Sequence, residues 1–152
     1  MNNTYKSSSH EHQAAEAEIK HHFMQTNHLI AETPMFPTPF PAKFDGTYKN
    51  SAGEWIFIEI YAHQGPLKSA QRQKVCTDIL KLVTAEQLLT EPIQKYVLFG
   101  CAEAMKSFQN NSWYTQSVDK WKIKLEVGIL SEETKLRLKA AQERQKMVNV
   151  AD

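Results

Sequence analysis

The residues best equipped for chemistry lie between Asp45 and Lys74. Asp45 stands beside a glycine, and Glu59 stands inside the dense apolar run WIFIEIYA, fourteen positions later. An ionised carboxylate buried without a partner costs roughly several kcal/mol, so Glu59 demands a neutralising neighbour. A divalent metal shared with Asp45 would serve, and so would a lysine. The segment that follows supplies cations and amides: Lys68, Gln71, Arg72 and Lys74.

The elements that must position these groups can be read from periodicity. Residues 54–62 are rich in aromatic and β-branched side chains and predict a strand. On strand alternation Trp55, Phe57, Glu59 and Tyr61 share one face, with Ile56, Ile58, Ile60 and Ala62 on the other. The aliphatic face is expected to be the deeper core and the aromatic face the floor of a groove. Residues 40–48 read as a partner strand, with Asp45-Gly46 and residues 50–53 as turn signals, giving an antiparallel hairpin. A helix is expected from Pro66 to Leu82 or Val83, its buried stripe made of Val75, Cys76, Ile79, Leu82 and Val83. Lys68 and Arg72 extend that stripe towards the helix start, where they are expected to reach back to Glu59.

Around this centre, residues 1–11 read as a polar flexible tail and 12–150 as a single domain, opening with a helix over 12–28 whose stripe is Ala15, Ile19, His22 and Phe23. The segment 34–41 holds four prolines in eight residues and can be neither helix nor central strand. Met35, Phe36 and Phe40 are expected to pin it to the core, as a packed linker or as a wall beside a cleft. Strands are expected over 94–102 and 121–130, a helix broken near residues 110–112 over 103–117, and a terminal helix from Ser131 with Leu136, Ala140 and Met147 as its apolar stripe. The fold class is therefore α/β, with a mixed central sheet flanked by helices.

Composition sets limits on function. The formal net charge is +1, so any affinity for nucleic acid must come from a local basic groove and not from the field of the whole protein. A cytoplasmic location is expected, with no membrane-spanning run and a polar N-terminus. Cys76 and Cys101 lack metal-ligand spacing and read as reduced core thiols. His10, His12, His21, His22 and His28 crowd one region without an acid or cysteine to complete a ligand set, and read as surface residues.

The order of elements, with an acid at a strand turn and a second acid in the next strand, resembles the restriction-endonuclease-like, or PD-(D/E)xK, nuclease superfamily. As topology the resemblance runs from Glu16 to Leu130; as motif it covers Asp45 to Leu82, where EIYAHQGPLKSAQRQKVCTDILKL is similar to an uncharacterised bacterial subgroup. The resemblance implies a metal-dependent endonuclease acting on DNA, with Asp45 and Glu59 as ligands of Mg²⁺ or Mn²⁺. Tyr61 occupies the place of the family's lysine, and Phe44 that of its proline. Tyrosine stays neutral at pH 7 and cannot substitute as a cation. A lysine from the following helix is then implied, Lys68 first and Lys74 second, with Gln71 beside the metal and Glu16 or Glu18 as an added first-helix glutamate.

A second reading explains the same buried acid. Glu59 paired structurally with Lys68 or Arg72 needs no metal, and the chain would then be an inactive nuclease-fold module binding nucleic acid or a protein. The polar terminal helix offers a surface for a homodimer or a larger complex.

Overall fold

A seven-residue strand, β3 (Trp55–Tyr61), occupies the middle of a five-stranded sheet, and both of its faces are covered. The computed structural model describes residues 3–151, with side chains described from 10 to 148. In chain order the other elements are α1 (Asn3–Thr26), β1 (Ile30–Ala31), β2 (Gly46–Lys49), α2 (Ser69–Leu89), β4 (Ile93–Phe99), α3 (Ala102–Lys106), α4 (Trp113–Lys120), β5 (Ile123–Val127) and α5 (Glu132–Ala151). The strands lie in the order β1-β2-β3-β4-β5. The first three pair antiparallel and the last three parallel, so the sheet is mixed, as the alternation of strands and helices predicts.

Alternation in β3 divides the core as the sequence implies. Trp55 and Phe57 join Val75, Ile79, Leu82 and Ala85 of α2 and Val97 and Phe99 of β4 in one cluster. Ile56, Ile58 and Ile60 join Ala15, Ile19 and Phe23 of α1 and Leu138 of α5 in the other. The aromatic face is not a groove floor: Phe57 and Ile58 are equally inaccessible at 0%. With each buried large side chain contributing about 1.5–3 kcal/mol, neither face can be left to solvent. Because β3 and β4 are parallel, α2 must return over the sheet and run antiparallel to β3.

Several boundaries differ from expectation. Residues 40–44 are irregular, and β2 begins only at Gly46. Gly46 is no turn glycine; a Cβ there would lie 2.5 Å from the Tyr48 ring, so it makes room for that ring. The true turn is 50–53, where Gly53 takes φ +78° and the Asn50 side chain accepts the N–H groups of Ala52 and Glu54. Lys68 forms the N-cap of α2, and the helix continues past Val83 to Leu89, ending where Thr90 adopts a left-handed conformation. In α5 the buried residues are Leu138 and Ala141, while Leu136 and Met147 are 66% and 72% exposed. The stripe is selected by packing on α1, where the Arg144 guanidinium also binds Glu11 at 2.7 and 2.8 Å. From Asn3 the expected tail is part of α1, and residues 1 and 2 lie outside the described residues. Both cysteines are free and half-buried rather than deep in the core.

Phe36, Phe40 and Phe44 attach the proline-rich connector by a relay of rings, 5.0 Å between the first pair, 5.8 Å between the second, and 4.9 Å from Phe44 to Phe57. Met35 does not take part and is 89% exposed. This relay fixes the backbone entering Asp45.

Candidate active site

Strand register brings the two acids together. Gly46 pairs with Ile58, so the antiparallel register continued by one residue sets Asp45 opposite Glu59. The N–H of Ile60 donates to Asp45 Oδ2 at 2.7 Å, fixing that carboxylate against the strand carrying Glu59. Glu59 is 3% exposed on the α2 face.

The cation that meets Glu59 is Lys81. Its Nζ lies 2.6 Å from Glu59 Oε1. The same ammonium donates to the carbonyl of Lys43 at 2.6 Å and sits 5.2 Å from the centre of the Phe44 ring. The connector is thus a wall of the site as well as a packed linker. Asp78 lies one turn earlier on α2, 3.9 Å from Lys81, and Lys74 lies over the Tyr61 ring at 5.7 Å.

The expected lysines fall differently. Lys68 is exposed at the start of α2, where its N–H donates to Gln71 Oε1 at 2.7 Å. Gln71 Nε2 lies 3.5 Å from His63 Nδ1, so it serves the loop after β3 and not the carboxylates. Arg72 donates to the Leu67 carbonyl at 2.7 Å and does not neutralise Glu59. The geometric reason is the antiparallel course of α2: its start lies beyond the end of β3, and only later turns come back over Glu59. Lys74, Asp78 and Lys81 recur at intervals of four and three residues, one flank of the helix, and that spacing is the signal that marks Lys81.

Electrostatics tie these groups into one cluster. Burial first, then the neighbouring charge of Asp45, pushes the Glu59 carboxyl up to about 9, against the pull of Lys81. Glu59 is thereby held towards its protonated form at neutral pH. Asp78 is also raised, chiefly by burial, with Lys81 and Lys74 opposing. Glu16 of α1 is raised by burial and then by Asp45, while Lys74 lowers it, so Glu16 belongs to the cluster. Glu18 does not: it caps α5, accepting from Thr134 Oγ1 at 2.5 Å and from the Ser131 N–H, and those bonds hold its pKa low. Tyr61 is pushed up to about 12 by burial and by Asp78, so it remains a neutral phenol.

Fold and site together define an α/β protein with a carboxylate pair and a lysine at the edge where the antiparallel and parallel halves of its sheet meet. No protein-family model matches the sequence, and no curated protein matches it. Among solved structures the chain is similar to the crystal structure of a repair endonuclease from Pyrococcus abyssi, with a TM-score of 0.44 and 11% identity. The similarity covers 76% of this chain and 46% of that one, so the chain spans less than half of that protein's length. Among the described residues, no helix is long and apolar enough to cross a membrane.

Proposed function

We propose that this chain is a metal-dependent nuclease of restriction-endonuclease-like type, hydrolysing phosphodiester bonds in DNA. The observation that carries the reading is the pairing of Asp45 with Glu59 beside the Lys81 ammonium. The donor set fits Mg²⁺ or Mn²⁺. Glu59 is buried with the Lys81 ammonium 2.6 Å from its Oε1, and Asp45 commits one oxygen to the Ile60 N–H. Among the described residues no three His, Cys, Asp or Glu side chains form a metal cage. Mg²⁺ suits such a site, because it is commonly held by one or two carboxylates and leaves its other positions to water and phosphate oxygens. Bound there, the ion would polarise a phosphoryl oxygen and acidify a water molecule.

The remaining work falls to the chain itself. Asp45 is oriented by the backbone of β3. Lys81 is held by the Lys43 carbonyl and the Phe44 ring, so its charge is fixed before substrate arrives and can offset charge growing on a phosphate. Lys81 thus takes the role that Tyr61 cannot fill. Lys74 adds a second positive charge over Tyr61.

The Glu59–Lys81 contact also favours a second reading, an inactive nuclease-fold module in which the pair is structural. Cleavage of single- and double-stranded DNA and of RNA with Mg²⁺ or Mn²⁺, measured against Glu59→Gln and Asp45→Asn, separates the two. Metal-dependent cleavage abolished in both variants supports the nuclease. Equal activity in all three proteins, or none in any, removes it.

A further inference from the structure

Past the carboxylates, the chain leaving the carboxyl ends of β3 and β4 borders a cleft of about 510 Å³, a position where open α/β sheets commonly bind ligands. Its lining brings together Lys68 at the start of α2, Lys139 and Lys146 of α5, and His12 of α1, with His63 and Gln71. Two acids share the lining, Glu103 and Glu143, and Glu143 already lies 3.5 Å from Lys146. Lys68 and Lys139 make no ion pair among the described residues, so their charge is available to a ligand. The first turn of α2 carries no acid, which leaves its N-terminal N–H groups and dipole uncompensated by a carboxylate.

The cleft is built rigidly. Gln64 donates to the Gly100 carbonyl at 2.7 Å, and its backbone exchanges hydrogen bonds with the Gln142 side chain at 2.9 Å in each direction. A Cβ on Gly100 would lie 2.2 Å from the Ala62 carbonyl oxygen, so only glycine permits that approach. Burial, followed by the neighbouring His12, Lys146 and Lys68, lowers the pKa of His63, which lines the same cleft as they do.

The cleft also continues from the carboxylate site. The Tyr61 ring is 6.0 Å from that of His63, and Tyr61 lies two residues beyond Glu59 on the same face of β3. On α1, His12 and Glu16 are one turn apart, the first in the cleft and the second in the acidic cluster.

We propose that this cleft seats a phosphate of a nucleic-acid strand, neighbouring the phosphate acted on at Asp45 and Glu59, with Lys68 and Lys139 as its principal cations. The proposal rests on the nuclease reading for the neighbouring phosphate, but its binding chemistry is separate. A polymer of phosphates explains two adjacent sites of opposite character, one furnished with carboxylates and one with ammonium groups.

The test is fluorescence anisotropy with labelled single- and double-stranded DNA of about twenty nucleotides, in EDTA so that nothing is cleaved, across a salt series. Lys68→Ala/Lys139→Ala is expected to weaken binding at least about tenfold and to flatten the salt dependence by about two charges, while Lys120→Ala changes neither. Circular dichroism and an unchanged urea midpoint verify that the double variant is folded. Equal affinity of the double variant and wild type, absence of strand binding by wild type at about 50 mM salt, or a mononucleotide binding as tightly as the strand would each overturn the proposal. Loss of strand binding in the double variant, with a wild type that binds the strand but neither takes up Mn²⁺ nor cleaves, would uphold the cleft and remove the nuclease reading. Metal-dependent cleavage with an unaltered strand affinity in the double variant would do the reverse.

Discussion

Lys81 meets Glu59 with 2.6 Å between Nζ and Oε1, although twenty-two positions separate them in the chain. The contact depends on α2 running back along β3, and it places the positive charge of the site on the fourth turn of the helix rather than on its first. Lys81→Met is therefore expected to lower the turnover of a cleaved substrate by about a hundredfold or more, in the range seen when a charge-stabilising group is removed. Lys68→Met should leave turnover near that of wild type and alter substrate affinity instead. A single-turnover assay at saturating DNA distinguishes them; a loss of turnover confined to Lys68→Met would show that Lys81 is only structural.

The raised pKa of Glu59 makes stability depend on pH in a definite direction. Its carboxyl titrates near 4.5 when unfolded and at about 9 when folded, so between these values the folded state binds the extra proton. Stability is then full below about pH 4.5 as far as this group is concerned, and falls as pH rises towards 9, by up to about 1.4 kcal/mol per pH unit. Asp78 and Glu16 are raised as well and act with the same sign. Urea unfolding at pH 5, 7 and 9 should show the decline, and Glu59→Gln should reduce its slope. A slope unchanged by that substitution would mean that Glu59 is ionised in the folded protein throughout.

Addition of Mg²⁺ or Mn²⁺ provides a test independent of catalysis. An ion held by Asp45 and Glu59 favours the ionised form of Glu59, so it should stabilise the protein more at pH 8 than at pH 6 and weaken the pH dependence. Asp45→Asn should abolish both effects. Thermal unfolding with and without about 10 mM metal measures them, and equal stabilisation of wild type and Asp45→Asn would place the ion elsewhere.

Gly46 is expected to resist substitution for a reason unrelated to turn geometry. The edge of the Tyr48 ring fills the space a side chain would need, and a Cβ at this position would also lie 2.9 Å from Ile58. Gly46→Ala should cost about 1–3 kcal/mol, the usual range for overpacking. Tyr48→Leu in the same chain should recover part of that loss, a coupling that a double-mutant cycle in urea reads directly.

The buried Lys95 ammonium pairs with Glu86, whose carboxylate also accepts the Ile93 N–H at 3.1 Å. Glu86→Ala should cost about 3–5 kcal/mol by leaving Lys95 buried and unpaired. Lys95→Met combined with Glu86→Leu should be far milder. Equal losses in the single and double variants would indicate that the Ile93 contact, and not the ion pair, is what Glu86 provides.

The sequence by itself determined what depends on local periodicity and on the cost of a buried charge. Alternation assigned each residue of β3 to its face, the apolar stripe of α2 was legible from Val75 to Leu82, and the prolines excluded regular structure from the connector. Glu59 declared that it needed a counter-charge because WIFIEIYA can only be an interior strand. The tertiary structure alone decided which groups answer that need. Register set Asp45 opposite Glu59, and the direction of α2 chose Lys81 over Lys68, since a helix returning over a parallel sheet brings its later turns, not its first, above the strand it has just left. Packing on α1 likewise chose Leu138 and Ala141 over Leu136 and Met147. Proximity along the chain predicts contact only within an element; between elements, the direction of the return path determines it.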